Sequence, residues 1–243
     1  MSTLSKPRLR LFVSDDLATE RTISLDQNQS HYVTHVMRAE TGEAVLLFNG
    51  RDGEWLSTIT SLTKRGAIVT VATQTRPQTP EPDIWLLAAP IKRERIDMVA
   101  EKAAELGASA LWPVITQHTA MSRVNTERLA AHMREAAEQC ERLTVPQIFT
   151  PVPLDQALQN WDNSRPLIYL DETGGEPLAA VVKSIPNTSP LAVLIGPEGG
   201  FSAPERTWLR TLPMVRPVTL GPRILRAETA AFAALAIIGA LRE

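Results

Sequence analysis

The run Leu191-Ala192-Val193-Leu194-Ile195-Gly196-Pro197-Glu198-Gly199-Gly200-Phe201-Ser202 reads as a buried strand closing on a glycine-rich loop. Five uncharged apolar residues that stop at a glycine have the pattern of a parallel strand covered on both faces. A second unit repeats the theme. Val215 to Leu220 runs into Gly221-Pro222-Arg223-Ile224-Leu225-Arg226-Ala227-Glu228-Thr229-Ala230, which opens an Ala-rich helix reaching Leu241 or Arg242. Two such strands lying side by side would put their Gly-Pro loops around a crevice at the strand carboxyl ends. That is where open α/β sheets bind ligands.

Working outward, the same strand–helix rhythm extends back to residue 84 and predicts a parallel sheet. Strands are expected at Ile84–Ala89, Ala110–Ile115 and Pro166–Leu170. A helix follows the spacing Ile96, Val99, Ala100, Ala103, Leu106 and stops at Gly107. Another runs from an N-cap at Asn125 to Leu143, with Leu129, Met133, Ala136, Ala137, Cys140 and Leu143 on its apolar face. Leu154–Trp161, Glu176–Ile185 and Pro204–Leu212 are further helices.

Residues 1–73 read differently. Arg8 to Val13 alternates basic and apolar, a strand with one wet basic edge. Gln29–Met37 is a short amphipathic helix, and Ala44–Phe48, Trp55–Leu62 and Ala67–Ala72 are strands parted by turn clusters. Several short strands and one helix in so little chain predict a small β-barrel. Residues 74–83, with Pro77, Pro80 and Pro82, form the linker to a second domain at 84–243.

Composition excludes more than it assigns. The chain has 243 residues, 44% of them hydrophobic and 21% charged, the profile of an ordinary globular protein. A net charge of −2 does not announce a nucleic-acid partner. No apolar stretch is long enough for a bilayer, Met1 to Arg10 lacks the apolar core of a signal peptide, and the single Cys140 suits a reducing cytoplasm. The histidines His31, His35, His118 and His132 have no metal-ligand spacing with Cys140, so no metal is expected. The glycine loop is neither a P-loop nor Gly-x-Gly-x-x-Gly, which disfavours phosphate and dinucleotide ligands. On spacing alone it is either a crevice for a flat ligand or a tight strand-to-helix turn.

Gly196-Pro197-Glu198-Gly199-Gly200 together with Leu220-Gly221-Pro222-Arg223-Ile224-Leu225-Arg226-Ala227-Glu228-Thr229-Ala230 resembles the 16S ribosomal RNA (uracil-N3)-methyltransferase family, of the SPOUT class. The resemblance implies a trefoil-knotted α/β methyltransferase domain behind a PUA-like RNA-binding barrel. It also implies S-adenosylmethionine as cofactor, a homodimer, and small-subunit ribosomal RNA as substrate. Pattern alone predicts an unknotted doubly wound sheet. By resemblance, Ile195, Gly196, Gly200, Leu220, Gly221, Ile224, Leu225 and Thr229 line the cofactor site, and Arg226 contacts the target phosphate or uracil.

Glu198 is a conceivable general base. By residue type alone, Arg223 and Arg226 beside Glu228 read equally as helix capping with an Arg–Glu ion pair. Lys92, Arg93 and Lys102 are RNA-contact candidates or members of a solvated ion-paired helix face. Glu138-Gln139-Cys140-Glu141-Arg142 resembles a family motif, making Arg142 a further RNA candidate, although Leu143-Thr144 departs from the pattern that follows it. Cys140, on the apolar face, is expected in the core. Arg8, Arg10, His31 and Arg38 are candidates for RNA phosphates in the N-terminal domain. Besides an enzyme, the sequence admits an RNA-binding module of the same fold without transfer activity, or a different α/β enzyme using a nucleotide.

Overall fold

The computed structural model describes residues 7–63, 66–121 and 123–242, and of Arg93 the backbone only. Two compact units result: residues up to 80 together with Ala137–Val145, and Glu81–Ala136 with Pro146 onward.

The first unit is a five-stranded sheet ordered β1-β3-β4-β5-β2. Its strands are β1 (Leu9–Phe12), β2 (Thr22–Ser24), β3 (Ala44–Phe48), β4 (Glu54–Thr63) and β5 (Gly66–Arg76). β1 joins β3 in parallel, and the other pairs are antiparallel. The short β2, whose single apolar residue is Ile23, was too brief for a periodicity argument. β5 continues to Arg76, into the stretch expected to be linker. The alternating residues Leu9, Leu11, Val45, Leu47, Ile59, Val69 and Val71 form the core.

The expected helix is α1 (Gln27–His31), capped by Asp26 and Gln29 in a reciprocal pair, and it passes into a π turn over Tyr32–Val36. The Met37 N–H returns to the Tyr32 carbonyl at 2.9 Å, and Arg38 leaves the turn with φ 52°.

The second unit is a parallel sheet ordered β11-β13-β10-β12-β6-β7-β8, with β9 also on β7. The strands are β6 (Ile84–Ala88), β7 (Ala110–Ile115), β8 (Gln147–Ile148), β9 (Val152–Pro153), β10 (Leu167–Leu170), β11 (Glu176–Pro177), β12 (Leu191–Ile195) and β13 (Val215–Thr219). The helices are α2 (Arg93–Glu105), α3 (Thr126–Gln139), α4 (Leu154–Leu158), α5 (Leu178–Ser184), α6 (Ala203–Thr211) and α7 (Ala227–Arg242). All five residues of β12 are buried, because helices cover both faces of a parallel sheet.

α2 is closed two residues past its end by Gly107, at φ 85°: the Gly107 N–H reaches back to the Ala104 carbonyl and the Ala108 N–H to the Ala103 carbonyl. α7 buries Ala231, Ala234, Leu235 and Ile238 along one stripe and packs on α2 and α5. Full burial of Leu235 or Ile238 contributes roughly 1.5–3 kcal/mol each. Among the described residues no helix is long and apolar enough to cross a membrane.

The helix expected at Glu176–Ile185 starts only at Leu178, after the strand β11, and two other expectations change. β12 and β13 are not neighbours, since β10 lies between them: Tyr169 pairs with Leu194 on one side and Pro217 on the other. The helix capped by Asn125, whose side chain accepts the Arg128 N–H at 2.9 Å, ends at Gln139 rather than Leu143. Cys140, just past the helix end, is exposed instead of lying in the core, and Glu141 after it takes φ 64° and turns the chain out of the helical path.

Candidate functional site

Three strand ends build one cleft of about 470 Å³ in the second unit, within the range of small-molecule sites. β10 supplies Tyr169 to Glu172, β12 supplies Ile195 to Glu198 with Gly200 and Phe201 beyond, and β13 runs into Val218 to Ala227. The glycines matter for close approach. A Cβ on Gly196 would lie 2.7 Å from Phe201 Cε2, and one on Gly200 would lie 2.8 Å from a Glu172 carboxylate oxygen. Gly200 also holds φ 66°, which a side chain disfavours. Phe201 stands edge-on to Tyr169, ring centroids 5.1 Å apart, so the loop rests on an aromatic floor. Ser202 and Glu205 then cap α6 reciprocally, fixing where the loop ends.

Charges of both signs surround the cleft. Asp171, wholly enclosed, takes two bonds from Arg210 (3.1 and 2.6 Å) and two from Thr173. Burial alone would push its pKa up. The Thr173 and Arg210 hydrogen bonds more than reverse this and hold it below the ordinary aspartate value. Tyr169 is pushed the other way, well above a free phenol, by burial and by the neighbouring Asp171, so it stays a neutral hydroxyl. The Arg206 guanidinium donates to the Phe201 carbonyl at 2.7 Å, tying α6 to the loop.

Of the residues singled out by sequence, Ile195, Gly196, Glu198, Gly200, Leu220, Gly221, Ile224, Leu225 and Arg226 come together on the cleft wall. Thr229 does not: it is exposed on α7 and lies outside the lining. The arginine paired with Glu228 is Arg95 of α2, at 3.6 Å, rather than Arg223 or Arg226. Arg95 also faces Glu198 at 3.9 Å. Arg223 and Arg226 are therefore exposed at the cleft mouth, and Ile224 beside them is 83% exposed.

The sequence reading missed Tyr169, Asp171 and Glu172, which follow from β10's central place. The signal was present: Leu170-Asp171-Glu172-Thr173-Gly174-Gly175 puts carboxylates and glycines after an apolar strand, as Gly196-Pro197-Glu198-Gly199-Gly200 does after β12. Arg95 had no such signal, because its role depends on helix packing.

The RNA candidates separate by environment. Arg8 is exposed and pairs with Glu43 at 3.3 Å, while His31 and Arg38 are exposed. The His31 and His35 rings stand 4.9 Å apart on α1 and its π turn. Arg10 is a correction. Its side chain is 7% exposed, pairs with Glu54 at 2.7 Å, donates to the Ala137 and Arg142 carbonyls, and lies 3.8 Å over the Phe48 ring. It is a structural cation of the first unit, not a wet edge, because the Ala137–Val145 segment covers it. Arg142 reaches Thr144 Oγ1 at 3.2 Å.

In the second unit Lys92 is exposed, and Lys102 is held by Glu101 and Glu105 at 2.7 and 2.8 Å. The Arg93 side chain lies outside the described residues. Among the described residues no three His, Cys, Asp or Glu side chains are grouped to hold a metal.

Residues 78–239 match the RNA methyltransferase domain family, and residues 25–72 match the RNA methyltransferase PUA domain. Fold and cleft thus define a chain of the RNA methyltransferase class. The chain is 32% identical over 229 residues to ribosomal RNA small subunit methyltransferase E of Rickettsia conorii, covering 93% of each. The protein of that name from Synechocystis is 31% identical, over 96% of this chain and 78% of its own. The crystal structure of ribosomal RNA small subunit methyltransferase E from Neisseria gonorrhoeae, bound to S-adenosyl methionine, superposes with a TM-score of 0.84 at 25% identity, covering 96% and 97% of the two chains. A Legionella pneumophila protein solved with bound SAM gives 0.84 at 31% identity, over 96% of this chain and 97% of its own. The chain belongs to the ribosomal RNA small subunit methyltransferase E family.

Proposed function

We propose that this chain is an S-adenosylmethionine-dependent methyltransferase acting on N3 of a uridine in the 16S RNA of the small ribosomal subunit. The observation that carries the reading is the single cleft where both glycine loops meet, with Arg223 and Arg226 exposed at its mouth. The cleft fits the cofactor chemically. Gly196 leaves its backbone open to a flat base, Gly200 lines the same wall without a side chain, and Ile195, Leu220 and Leu225 offer apolar contacts. The cofactor supplies an electrophilic methyl group on a sulfonium.

What the chain must do is align N3 with that methyl, exclude water and manage the N3 proton. Arg226 is placed to hold the uracil anion left when the proton departs. Of the three carboxylates lining the cleft, Asp171 is committed to Arg210, which leaves Glu172 and Glu198 as proton acceptors. Arg8, His31, Arg38, Lys92 and Arg142 are read as contacts to RNA phosphates.

The domains are read as a PUA-like barrel at 1–73, whose strand β5 runs on to Arg76 into the linker read at 74–83, and a trefoil-knotted domain at 84–243. The five-stranded sheet supports the first. The insertion of β12 between β10 and β6 supports the knot. A homodimer is supported by the apolar surface left on α7 and nearby: Phe232, Ile237 and Leu241 are half-buried, Met98 is 46% exposed and Ile224 more so. Its place of action is the cytoplasm, where its substrate lies.

The test is methyl transfer from labelled S-adenosylmethionine to small ribosomal subunits lacking the modification, followed by nucleoside analysis. Label in 3-methyluridine is the expected result. Label in another nucleoside overturns the N3 assignment, and cofactor binding without transfer turns the reading into an RNA-binding module.

A further inference from the structure

His118 lies outside the cleft lining, yet its ring holds the loop that forms one wall. Nδ1 stands 3.1 Å from the Gly199 carbonyl and 3.2 Å from the Gly200 carbonyl. Carbonyl oxygens only accept, so Nδ1 carries the proton and is shared between them. The approach depends on residue 199 having no side chain: a Cβ there would sit 3.3 Å from His118 Cβ. The turn bearing the histidine is itself stapled. Thr116 N–H donates to Thr119 Oγ1 at 2.9 Å, and Thr119 N–H returns to the Thr116 carbonyl at 3.1 Å. Gln117 N–H donates to Glu205 Oε1 at 2.8 Å, so the turn after β7 grips both the glycine loop and the cap of α6. Within itself the loop has one backbone bond, Gly200 N–H to the Pro197 carbonyl at 2.9 Å.

We propose that His118 is a positioning residue, its Nδ1–H latching the Gly199-Gly200 segment in the shape that receives the cofactor. The effect on cofactor rests on the functional reading above; the latch itself does not. An asparagine amide occupies the place of Nδ1, whereas a glutamine amide lies one bond further out. His118→Asn therefore keeps the donor, and His118→Gln and His118→Ala lose it.

With the full chain, two quantities are measured for each variant: hydrogen exchange of the Gly200 amide without ligand, and S-adenosylmethionine affinity by calorimetry. Ala and Gln are expected to speed exchange and weaken affinity by about 2- to 10-fold, the range of one net hydrogen bond. Asn stays close to wild type. In turnover the cofactor KM rises while kcat at saturation is kept. If Ala matches wild type, or Asn behaves as Gln does, the latch is wrong. Should Ala fail to fold, the Asn–Gln comparison still decides. A wild-type protein that binds no S-adenosylmethionine sinks the functional reading, while the exchange rates still judge the latch.

Discussion

Gly196→Ala is the substitution that most directly probes how the cleft is built. The added methyl would lie 2.7 Å from Cε2 and 3.0 Å from Cδ2 of Phe201. Carbon atoms prefer about 3.5–4.0 Å, so ring and loop must part by roughly 1 Å. Phe201 is 4% exposed and packs edge-to-face with Tyr169, so the ring can yield only toward the cleft that it lines. Overpacking of this kind costs about 1–3 kcal/mol, which for a chain of this size lowers the unfolding midpoint by roughly 2–12 °C. The same shift displaces backbone groups proposed to hold the cofactor. Two misplaced hydrogen bonds at about 0.5–1.5 kcal/mol each weaken binding about 5- to 150-fold. Thermal unfolding and calorimetry with S-adenosylmethionine measure both effects. Phe201→Leu added to Gly196→Ala removes the clashing ring edge and is expected to recover part of the binding. If Gly196→Ala binds and unfolds like wild type, the close approach is not what shapes the site.

Other expectations follow from the same geometry. Arg226→Ala should lower methyl transfer by about 10²- to 10³-fold, the effect of removing one donor to a developing anion, with cofactor affinity nearly unchanged; equal loss of both would make it a cofactor residue. Arg95→Ala leaves Glu228 enclosed without its cation and should destabilise by roughly 1–2 kcal/mol, less than a fully buried pair because Arg95 is about a third exposed. Adding Glu228→Gln should restore much of that loss in urea unfolding, and no recovery would show that the pairing is not the cause.

Asp171 is held below the aspartate pKa of about 3.9, so its stabilisation is complete above pH about 4 and lost as pH falls through the lower folded value. Asp171→Asn should flatten the acid limb of stability against pH, and an unchanged limb would remove Asp171 from the account.

The strand–helix alternation was legible because strands such as β6 and β12 are short uncharged apolar runs, and helices such as α2 and α3 carry a 3.6-residue apolar stripe. Strand order was not. Nothing in Leu167–Leu170 says that it lies between β12 and β13, since that order is set by crossover connections rather than by local pattern. The same limit explains the site. The two glycine motifs announced themselves, whereas Tyr169, Asp171 and Glu172 join them only through that insertion. Arg10 misled for a related reason. Alternation marks it as facing away from its sheet's core, but cannot show that a distant segment, Ala137–Val145, covers it. Cys140 is exposed because the helix stops at Gln139, one residue before it, and the positive φ of Glu141 that follows is a choice that residue type does not announce.

The place of β10 also bears on when the protein becomes competent. A growing chain that has emerged only as far as α6 has two of the three cleft walls. The third wall comes with β13 and the loop to α7, and β13 adds beside β10 at the far side of the cleft. Until it does, a ligand of the cleft has no complete surface to grip and contributes little to stability. The domain must therefore reach its final topology on chain energetics alone, and the cofactor rewards only the finished molecule.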